Sequence, residues 1–498
     1  MSRCQRINRM ALGEARTHGR VFLALNIILA AGCLLQSYVG GTAEILESNM
    51  SEIGIILFCA GALVGPMIVS GVFREMHSQQ HSDVVYALPM SAGERYASKI
   101  LAFVYLHVLP VMIWGGIAVL ATVLRVNSLG EHVIGLSAER CVLYYGFLNL
   151  GTLFIDAIAV VCSVCCGRLA ETQYLTYLTA ASISMGPLLL RTQLMEKIGG
   201  QTTDPGLGYF LWTLSPLAWK SNAGMTTYGI VCLTNCLISA AVITLAFFVY
   251  RNRDAGSAGK PIVSRVFFEI ALAVGLVSYY ALLLFSTSLA AVIALGGVVY
   301  LVIHIISFRG ILSVGKVVLW FGKFALTTAA FLLLLWIAYA SDGFGAIRYI
   351  PSQDMGGACI RIEREWGYGD VAPMKLVAYA GLPKYTYDLV GAAGITTYDE
   401  ISGKEINDAK IREVVDVFQK YAADRDKDFV SFWEFFAQGI ERKNGTERDR
   451  YCEVIIWFPN KDGKVIMRQG VKLTVHQASE LMNDLSMLGY MNFNSTSN

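Results

Sequence analysis

Charge is scarce in this 498-residue chain. Asp, Glu, Lys and Arg make up 16% of the residues, whereas apolar residues make up 55%. Ordinary soluble domains carry roughly 25% charged residues, so a wholly soluble protein is excluded. Histidine is rare as well, with 7 in the chain, and the only one after residue 304 is His476. This shortage argues against a Ser-His-Asp hydrolase in the C-terminal part.

The charges are divided unevenly along the chain. Residues 1–340 contain 21 Lys and Arg against 15 Asp and Glu, whereas residues 341–498 contain 19 against 23. The change near Ser341 predicts a membrane part followed by an aqueous domain. The basic residues form no stripe or cluster, so the sequence does not favour nucleic-acid binding.

Eleven cysteines are present, and most lie in apolar stretches, where Cys behaves as a small hydrophobic residue. The cluster Cys162-x-x-Cys165-Cys166 has metal-like spacing, but no His or carboxylate stands beside it, so we assign no metal site there. Cys359 and Cys452 fall in predicted strands of an oxidising compartment, which leaves open whether a disulfide joins them.

Long hydrophobic runs dominate the first 340 residues. A helix needs about 20 mostly apolar residues to cross a bilayer, and nine segments meet this requirement. They lie near 21–40, 53–73, 100–124, 141–166, 174–190, 223–250, 266–286, 289–308 and 321–340. The Arg-rich stretch 1–20 and the eight later spans favour an uncleaved anchor over a signal peptide. We therefore predict an α-helical polytopic membrane protein with about nine transmembrane helices.

The basic residues orient this topology. If the N-terminus is cytoplasmic, the inside segments carry sixteen Lys and Arg, and the outside connections before residue 341 carry five. Basic residues concentrate in cytoplasmic loops of plasma-membrane proteins. An odd number of spans then places residues 341–498 outside the cell.

The pattern of residues 341–498 predicts an extracellular α+β domain. Ala358 to Glu365 alternates apolar and polar residues like a half-exposed strand, and residues 453–468 resemble a hairpin. Apolar residues recur at helical spacing between Ile411 and Tyr421, and Thr474 can cap a final helix.

Two motifs resemble ligand-binding loops but lack necessary residues. Gly310-x-x-x-x-Gly315-Lys316 continues with Val317, where a phosphate-binding loop needs Ser or Thr for magnesium. The sequence Asp424-x-Asp426-x-Asp428 continues with Phe429, where a calcium loop requires Gly, so a charged turn is favoured. We expect no cofactor to be bound by this chain itself.

The polar connection between the second and third spans, residues 74–99, is the most informative segment. Its Tyr86-Ala-Leu-Pro89-Met-Ser91 stretch, followed by Arg95 and Lys99, resembles the Ser-Leu-Pro-Val-Ser/Thr-Arg element of ABC-2-type permeases. In that family the segment includes the coupling helix that docks on the ATPase. The resemblance implies coupling roles for Arg74, Glu75, His77, His81, Asp83, Tyr86, Leu88, Pro89, Glu94 and Arg95. The alternative is a solvated loop that merely joins two helices.

The resemblance also implies an organisation for the whole chain. A basic, amphipathic cytoplasmic segment, 1–20, precedes a six-span permease domain, 21–250. Three additional transmembrane helices, 251–340, resemble a Gram-positive branch of the family whose extracellular C-terminal domain has no assigned function. The expected partners are an ABC ATPase subunit, which binds ATP and Mg, and a second permease half, identical or different. This chain would then be a transport subunit, without its own catalytic site, of an exporter.

Polar and small residues within the spans mark further candidates. Asp156 lies deep in the fourth span, where it can line a substrate path or pair with a polar group on a neighbouring helix. Glu269 lies near the inside end of the seventh span and can extend to the surface. Gly61 and Gly65 form a Gly-x-x-x-Gly motif, which allows close helix packing.

Two other function classes compete with a permease. One is a membrane sensor or scaffold whose outside domain binds a peptide, antibiotic or envelope component. The other is an ion-coupled secondary transporter, which predicts an inverted repeat or several charges near the midplane. Only Asp156 is clearly placed there, and no convincing repeat is detected.

Overall fold

A computed structural model describes residues 2–38, 43–128, 138–198, 225–283, 289–308, 313–341, 357–364, 375–381, 408–424, 451–459, 465–487 and 491–492. Twelve helices occupy the first 340 residues in this description. They are α1 (Arg3–Thr17), α2 (Gly19–Tyr38), α3 (Ala43–Val72), α4 (Gln79–Tyr86), α5 (Ala92–Phe103), α6 (Leu109–Ser128), α7 (Ala138–Cys165), α8 (Leu169–Ile198), α9 (Met225–Arg251), α10 (Arg265–Leu283), α11 (Leu289–Phe308) and α12 (Val314–Ala340).

A helix lies at each of the nine predicted spans, with α5 and α6 together covering the third. Among the described residues, five stretches are long and apolar enough to cross a membrane: Ala92–Ala121, Gly229–Arg251, Arg265–Leu283, Ala290–Phe308 and Val314–Ala338. Shorter apolar stretches occur at Gly19–Gly32, Phe58–Val72 and Gly151–Cys165. The chain is therefore an α-helical multi-pass membrane protein, and the count of nine spans stays a prediction.

The third predicted span contains a local irregularity. Val104–Val108 forms a π-helical turn between α5 and α6, although no proline occurs in it. Such turns insert one residue into the helix and are frequent at functional sites. Here the turn carries His107, whose side chain is buried.

The described residues divide into two compact units. The first draws on residues 1–188, 209–279 and 297–324. Its core includes an aromatic cluster that joins α3, α5 and α9. The ring of Tyr250 lies 5.2 Å from that of Tyr96 and 6.2 Å from that of Phe73, centroid to centroid. Tyr96 also donates a 2.6 Å hydrogen bond to the carbonyl of Ile243, which fixes α5 against α9 next to residues 74–99.

The second unit draws on residues 189–208, 280–296 and 325–498. It contains a five-stranded sheet of order β4-β3-β1-β2-β5, in which neighbouring strands are antiparallel. The strands are β1 (Gly357–Arg364), β2 (Lys375–Gly381), β3 (Tyr451–Pro459), β4 (Val465–Thr474) and β5 (Met491–Asn492). Strand β1 and the β3–β4 hairpin coincide with the strand patterns of the sequence.

Two helices cover this sheet. Helix α13 (Asp408–Asp424) contacts β1 and β2, and α14 (Val475–Met487) contacts β3 and β4. Phe418 of α13 and Leu481 of α14 are buried, as is Val454 of the sheet. The helices also join through Asp484, whose carboxylate accepts a 2.8 Å hydrogen bond from the hydroxyl of Tyr421. The calcium-like motif after Asp424 lies outside the described residues.

The register of β1 against β3 shows whether a disulfide can join Cys359 and Cys452. Cys359 stands opposite Trp457, and Cys452 stands opposite Arg364, so the two cysteines are five residues apart along paired strands. At 3.3–3.4 Å per residue, their α-carbons are about 17 Å apart. Bridged cysteines have α-carbons within about 7 Å of each other. A disulfide between Cys359 and Cys452 is therefore incompatible with this sheet.

Candidate functional site

Residues 74–99 form a compact folded segment between α3 and α5. A 3-10 turn, Arg74–Met76, leads into α4, and residues 87–91 connect α4 to α5. Ser91 begins α5 with a capping box: its hydroxyl accepts from the amide of Glu94 at 3.2 Å, and the Glu94 carboxylate accepts from the amide of Ser91 at 2.9 Å. Since Pro89 cannot donate a backbone hydrogen bond, it favours separating the two helices here.

The inner side of this segment is joined to the helix bundle by a buried ion pair. The ammonium of Lys99 lies 2.9 Å from the carboxylate of Glu75, and both side chains are at most 2% exposed. Lys99 also donates a 2.7 Å hydrogen bond to Glu14 of α1. Burial raises the pKa of the Glu75 carboxyl, and the neighbouring charge of Lys99 opposes that rise. The three side chains connect α1, the 3-10 turn and α5.

A second set of ion pairs holds α1 against the start of α5. The Glu94 carboxylate lies 2.9 Å from the guanidinium of Arg6 and 3.6 Å from that of Arg3. Both arginines are more exposed to solvent than Glu94. The acidic residue that caps α5 therefore also anchors the basic N-terminal helix, which connects the 1–20 and 74–99 segments of the sequence.

Arg95 closes the turn between α4 and α5. Its guanidinium donates a 2.8 Å hydrogen bond to the carbonyl of Met90 and lies 4.7 Å from the ring centroid of Tyr86. The hydroxyl of Tyr86 donates a 3.3 Å hydrogen bond to the carbonyl of Arg253, just beyond α9. Burial raises the pKa of the Tyr86 phenol, and the charges of Arg253 and Arg95 oppose the rise. These contacts give residues 86–95 a defined shape.

The opposite side of α4 is exposed. Val84 is 66% exposed and Leu88 is 38% exposed, although both are large apolar residues. Gln80, Asp83 and Pro89 are exposed beside them. Gln80 and Val84 are four positions apart in α4, so they share one side of the helix, and Leu88 follows two residues after its end. We call these five residues the α4 outer face. It combines an apolar centre with polar neighbours, as protein-binding patches do.

The two histidines of the segment differ in environment. His77 lies in a desolvated site near Arg253. Burial, and to a lesser extent the charge of Arg253, lowers the pKa of its imidazole to about 3. It therefore stays neutral at physiological pH. His81 lies on α4, where its Nδ1 is 3.2 Å from the hydroxyl of Ser78. Arg74 is exposed at the start of the segment. Thus Arg74 is the exposed charge of residues 74–77, and the other three residues are buried or partly buried.

Asp156 has a buried partner that the sequence did not indicate. Its carboxylate oxygen Oδ2 lies 3.0 Å from Nε2 of His107, and both side chains are 1% exposed. A β-carbon at Gly65 would lie 2.0 Å from the other carboxylate oxygen of Asp156, and one at Gly61 would lie 3.0 Å from Thr152. The Gly-x-x-x-Gly motif thus lets α3 pass closely over α7 at this pair. Asp156 therefore pairs with a polar group on a neighbouring segment, and a role in a transport path stays a prediction.

Glu269 likewise takes part in an interhelical cluster. Its carboxylate accepts from the ammonium of Lys323 and, at 3.3 Å, from the hydroxyl of Tyr300. Nε2 of His304 is 3.6 Å from the same carboxylate. The side chain therefore connects α10, α11 and α12 instead of simply reaching the surface.

Sequence reasoning missed His107, Arg253 and Glu14 as members of these clusters. A histidine inside an apolar span and an arginine directly after one are usable signals, because buried ionisable groups need partners. Within the part of the chain that the structure describes, no three His, Cys, Asp or Glu residues lie together as metal ligands. A search of protein-family models, of curated proteins and of solved structures finds no match to this chain.

Proposed function

We propose that this chain is the membrane-spanning subunit of an ATP-driven exporter of the ABC-2 type. In this proposal the α4 outer face binds a separate ATPase subunit. The observation that carries it is an exposed apolar patch, centred on Val84 and Leu88, on a segment whose other side is tied into the helix bundle. A mere connecting loop needs neither feature.

The contacts behind the patch suit the transmission of force. A docking segment moves its neighbouring helices only if it cannot slide over them. The buried pair of Glu75 and Lys99 and the capping box at Ser91 restrain it at both ends. Displacement of α4 would therefore be passed to α3 and α5.

The proposal extends to the partners and to the topology. The N-terminus, residues 74–99 and the ATPase lie in the cytoplasm of a plasma-membrane protein, and residues 341–498 form an extracellular α+β domain. Two permease halves, identical or different, enclose the transport path. ATP and Mg²⁺ bind to the ATPase subunits, and this chain supplies the path and the docking surface.

A tagged pull-down from native-host membranes tests the proposal. After mild detergent extraction, we expect mass spectrometry to identify a nucleotide-binding subunit, and the eluate to hydrolyse ATP. Leu88→Glu places a charge in the centre of the patch and should reduce recovery of that subunit about tenfold or more, as loss of an interface hot spot does. Equal recovery with Leu88→Glu would contradict the assigned surface.

Leu12→Glu is the matched control. Leu12 is 45% exposed on α1, similar to Leu88, so its substitution tests whether a new surface charge alone disturbs the complex. We expect normal recovery of the ATPase with this variant. If no ATPase accompanies the folded wild-type protein, the sensor or the secondary-transporter class takes precedence.

A further inference from the structure

Three connections that are far apart in sequence meet in the first unit. They are the 74–91 segment, the turn between α7 and α8 at residues 166–168, and the connection between α9 and α10 at residues 252–264. The amide of Val263 donates a 2.9 Å hydrogen bond to the carbonyl of Cys165, at the end of α7, and the amide of Gly259 donates a 2.7 Å bond to the carbonyl of Gly167. Backbone hydrogen bonds therefore join the last two connections.

Gly167 is required for this close approach. A β-carbon there would lie 2.2 Å from the carbonyl oxygen of Lys260 and 2.6 Å from that of Ser257. Arg168 adds a 2.7 Å hydrogen bond from its Nε to the carbonyl of Gly259. The 252–264 connection is thus held on the α7–α8 turn by backbone and side-chain contacts.

Arg253 joins this pair of connections to the 74–91 segment. Arg253 is only 7% exposed. The guanidinium donates hydrogen bonds to the carbonyls of Met76 at 2.7 Å, Cys166 at 2.9 Å and Ser163 at 3.2 Å, to that of Val164, and to the hydroxyl of Ser257 at 3.0 Å.

These acceptors explain how a buried cation is accommodated. Three of them are the carbonyls of Ser163, Val164 and Cys166 at the C-terminal end of α7, where the helix dipole places partial negative charge. Burial nevertheless lowers the pKa of Arg253 below its usual range. A lysine keeps the charge but cannot reproduce a planar fork of donors that reaches several carbonyls at once.

We propose that Arg253 is a positioning residue that transmits movement of the docked segment to α7 and α9. The inference rests on the proposed ATPase coupling and deepens it. Arg253 contacts the segment twice, through its guanidinium on Met76 and through its own carbonyl, which accepts from Tyr86. The same guanidinium also holds the end of α7, and Arg253 lies two residues after α9. Movement of α4 therefore reaches two helices that are not adjacent to it in sequence.

The test compares wild-type, Arg253→Lys and Arg253→Gln complexes purified with the ATPase subunit, using MgATP as the only probe. We expect normal recovery of the ATPase, because the α4 outer face is intact. The kcat for ATP hydrolysis should move about fivefold or more towards that of the isolated ATPase subunit, as expected for loss of an intersite coupling free energy. The KM for ATP should stay unchanged, since the nucleotide site lies on the other subunit.

Arg251 supplies the matched control, because it is an exposed arginine two positions earlier. Arg251→Lys and Arg251→Gln should leave kcat and KM at wild-type values. If the Arg253 variants do not accumulate, Tyr86→Phe removes only the hydroxyl that reaches Arg253, and it should also move the kcat of the complex towards that of the isolated ATPase subunit.

The outcomes separate the two proposals. The role of Arg253 is overturned if the folded Arg253→Lys and Arg253→Gln complexes hydrolyse ATP with the wild-type kcat. Where only Tyr86→Phe accumulates, a wild-type kcat in that variant has the same meaning. Either result leaves the docking proposal standing. Absence of any ATPase from the folded wild-type preparation overturns the docking proposal and this inference with it.

Discussion

At the scale of single residues, the protonation of His77 links the stability of the 74–99 segment to pH. Its folded pKa of about 3 lies below the 6.5 of an unfolded histidine. Between these values only the unfolded chain binds the proton, so stability is full above pH 6.5 and is lost as pH falls. We expect a loss of about 2 kcal/mol at pH 5.

The His77→Gln variant should lack this component of the pH dependence. Thermal unfolding in detergent at pH 7 and pH 5 measures it, with His81→Gln as the control that retains the wild-type pH response. If wild-type and His77→Gln lose the same amount of stability on acidification, the assignment to His77 is wrong.

Gly65 provides a second test at this scale. A β-carbon there meets the Asp156 carboxylate at 2.0 Å and His107 at 2.9 Å. Gly65→Ala should therefore destabilise the bundle by about 1–3 kcal/mol through overpacking. Gly116→Ala is the control, because no atom lies within 4 Å of its added β-carbon and alanine favours a helix. Equal melting temperatures for the two variants would contradict close packing of α3 on α7.

The sequence indicated some of these residues but not their partners. A Gly-x-x-x-Gly motif and a lone carboxylate are visible as local patterns, so Gly65 and Asp156 could be singled out. His107 is 49 positions from Asp156, and Glu14 is 85 positions from Lys99. Pairing over such distances depends on how the helices pack, which local patterns do not encode.

At the scale of helices, the pair of Glu75 and Lys99 joins α5 to the 3-10 turn that follows α3. Lys99→Met leaves the Glu75 carboxylate buried without its cation, which typically costs about 3–5 kcal/mol. We expect a correspondingly lower melting temperature in detergent. The double variant Glu75→Gln/Lys99→Met should recover most of the loss, because the carboxylate that it leaves without a cation is that of Glu14, whose side chain is 23% exposed, and no fully buried charge stays unpaired.

Lys316→Met serves as the control for this pair, since Lys316 is exposed on α12. It should melt near the wild-type temperature. A double variant that is no more stable than Lys99→Met would show that the buried charge is not the cause of the loss.

Helix positions were more predictable than helix ends. Apolar runs located a helix at each of the nine predicted spans, because the bilayer imposes a minimum apolar length. The ends differ where polar residues continue the helix: α3 begins at Ala43, ten residues before the predicted span, and α5 begins at Ala92 behind its Ser91 cap. The π-turn at Val104–Val108 contains no proline itself, but Pro110 follows it and cannot donate a backbone hydrogen bond to Leu106 within the turn.

At the scale of the whole molecule, the meeting of three connections is the strongest link between topology and function. The connections at 74–91, 166–168 and 252–264 are separated from one another by two predicted spans each, α5–α6 with α7 and then α8 with α9. An alternating path across a bilayer brings such connections to one side. The positive-inside pattern predicts a cytoplasmic location for all three, where the proposed ATPase would dock.

Site-specific photo-crosslinking at position 84 tests the central claim most directly. A benzophenone amino acid replaces Val84 in the α4 outer face, and irradiation takes place in intact native-host membranes; Leu12 carries the same group in a control. The account predicts a covalent adduct between position 84 and a nucleotide-binding subunit, and no such adduct from position 12. Adducts from position 84 that contain only lipid or a second copy of this chain would contradict it.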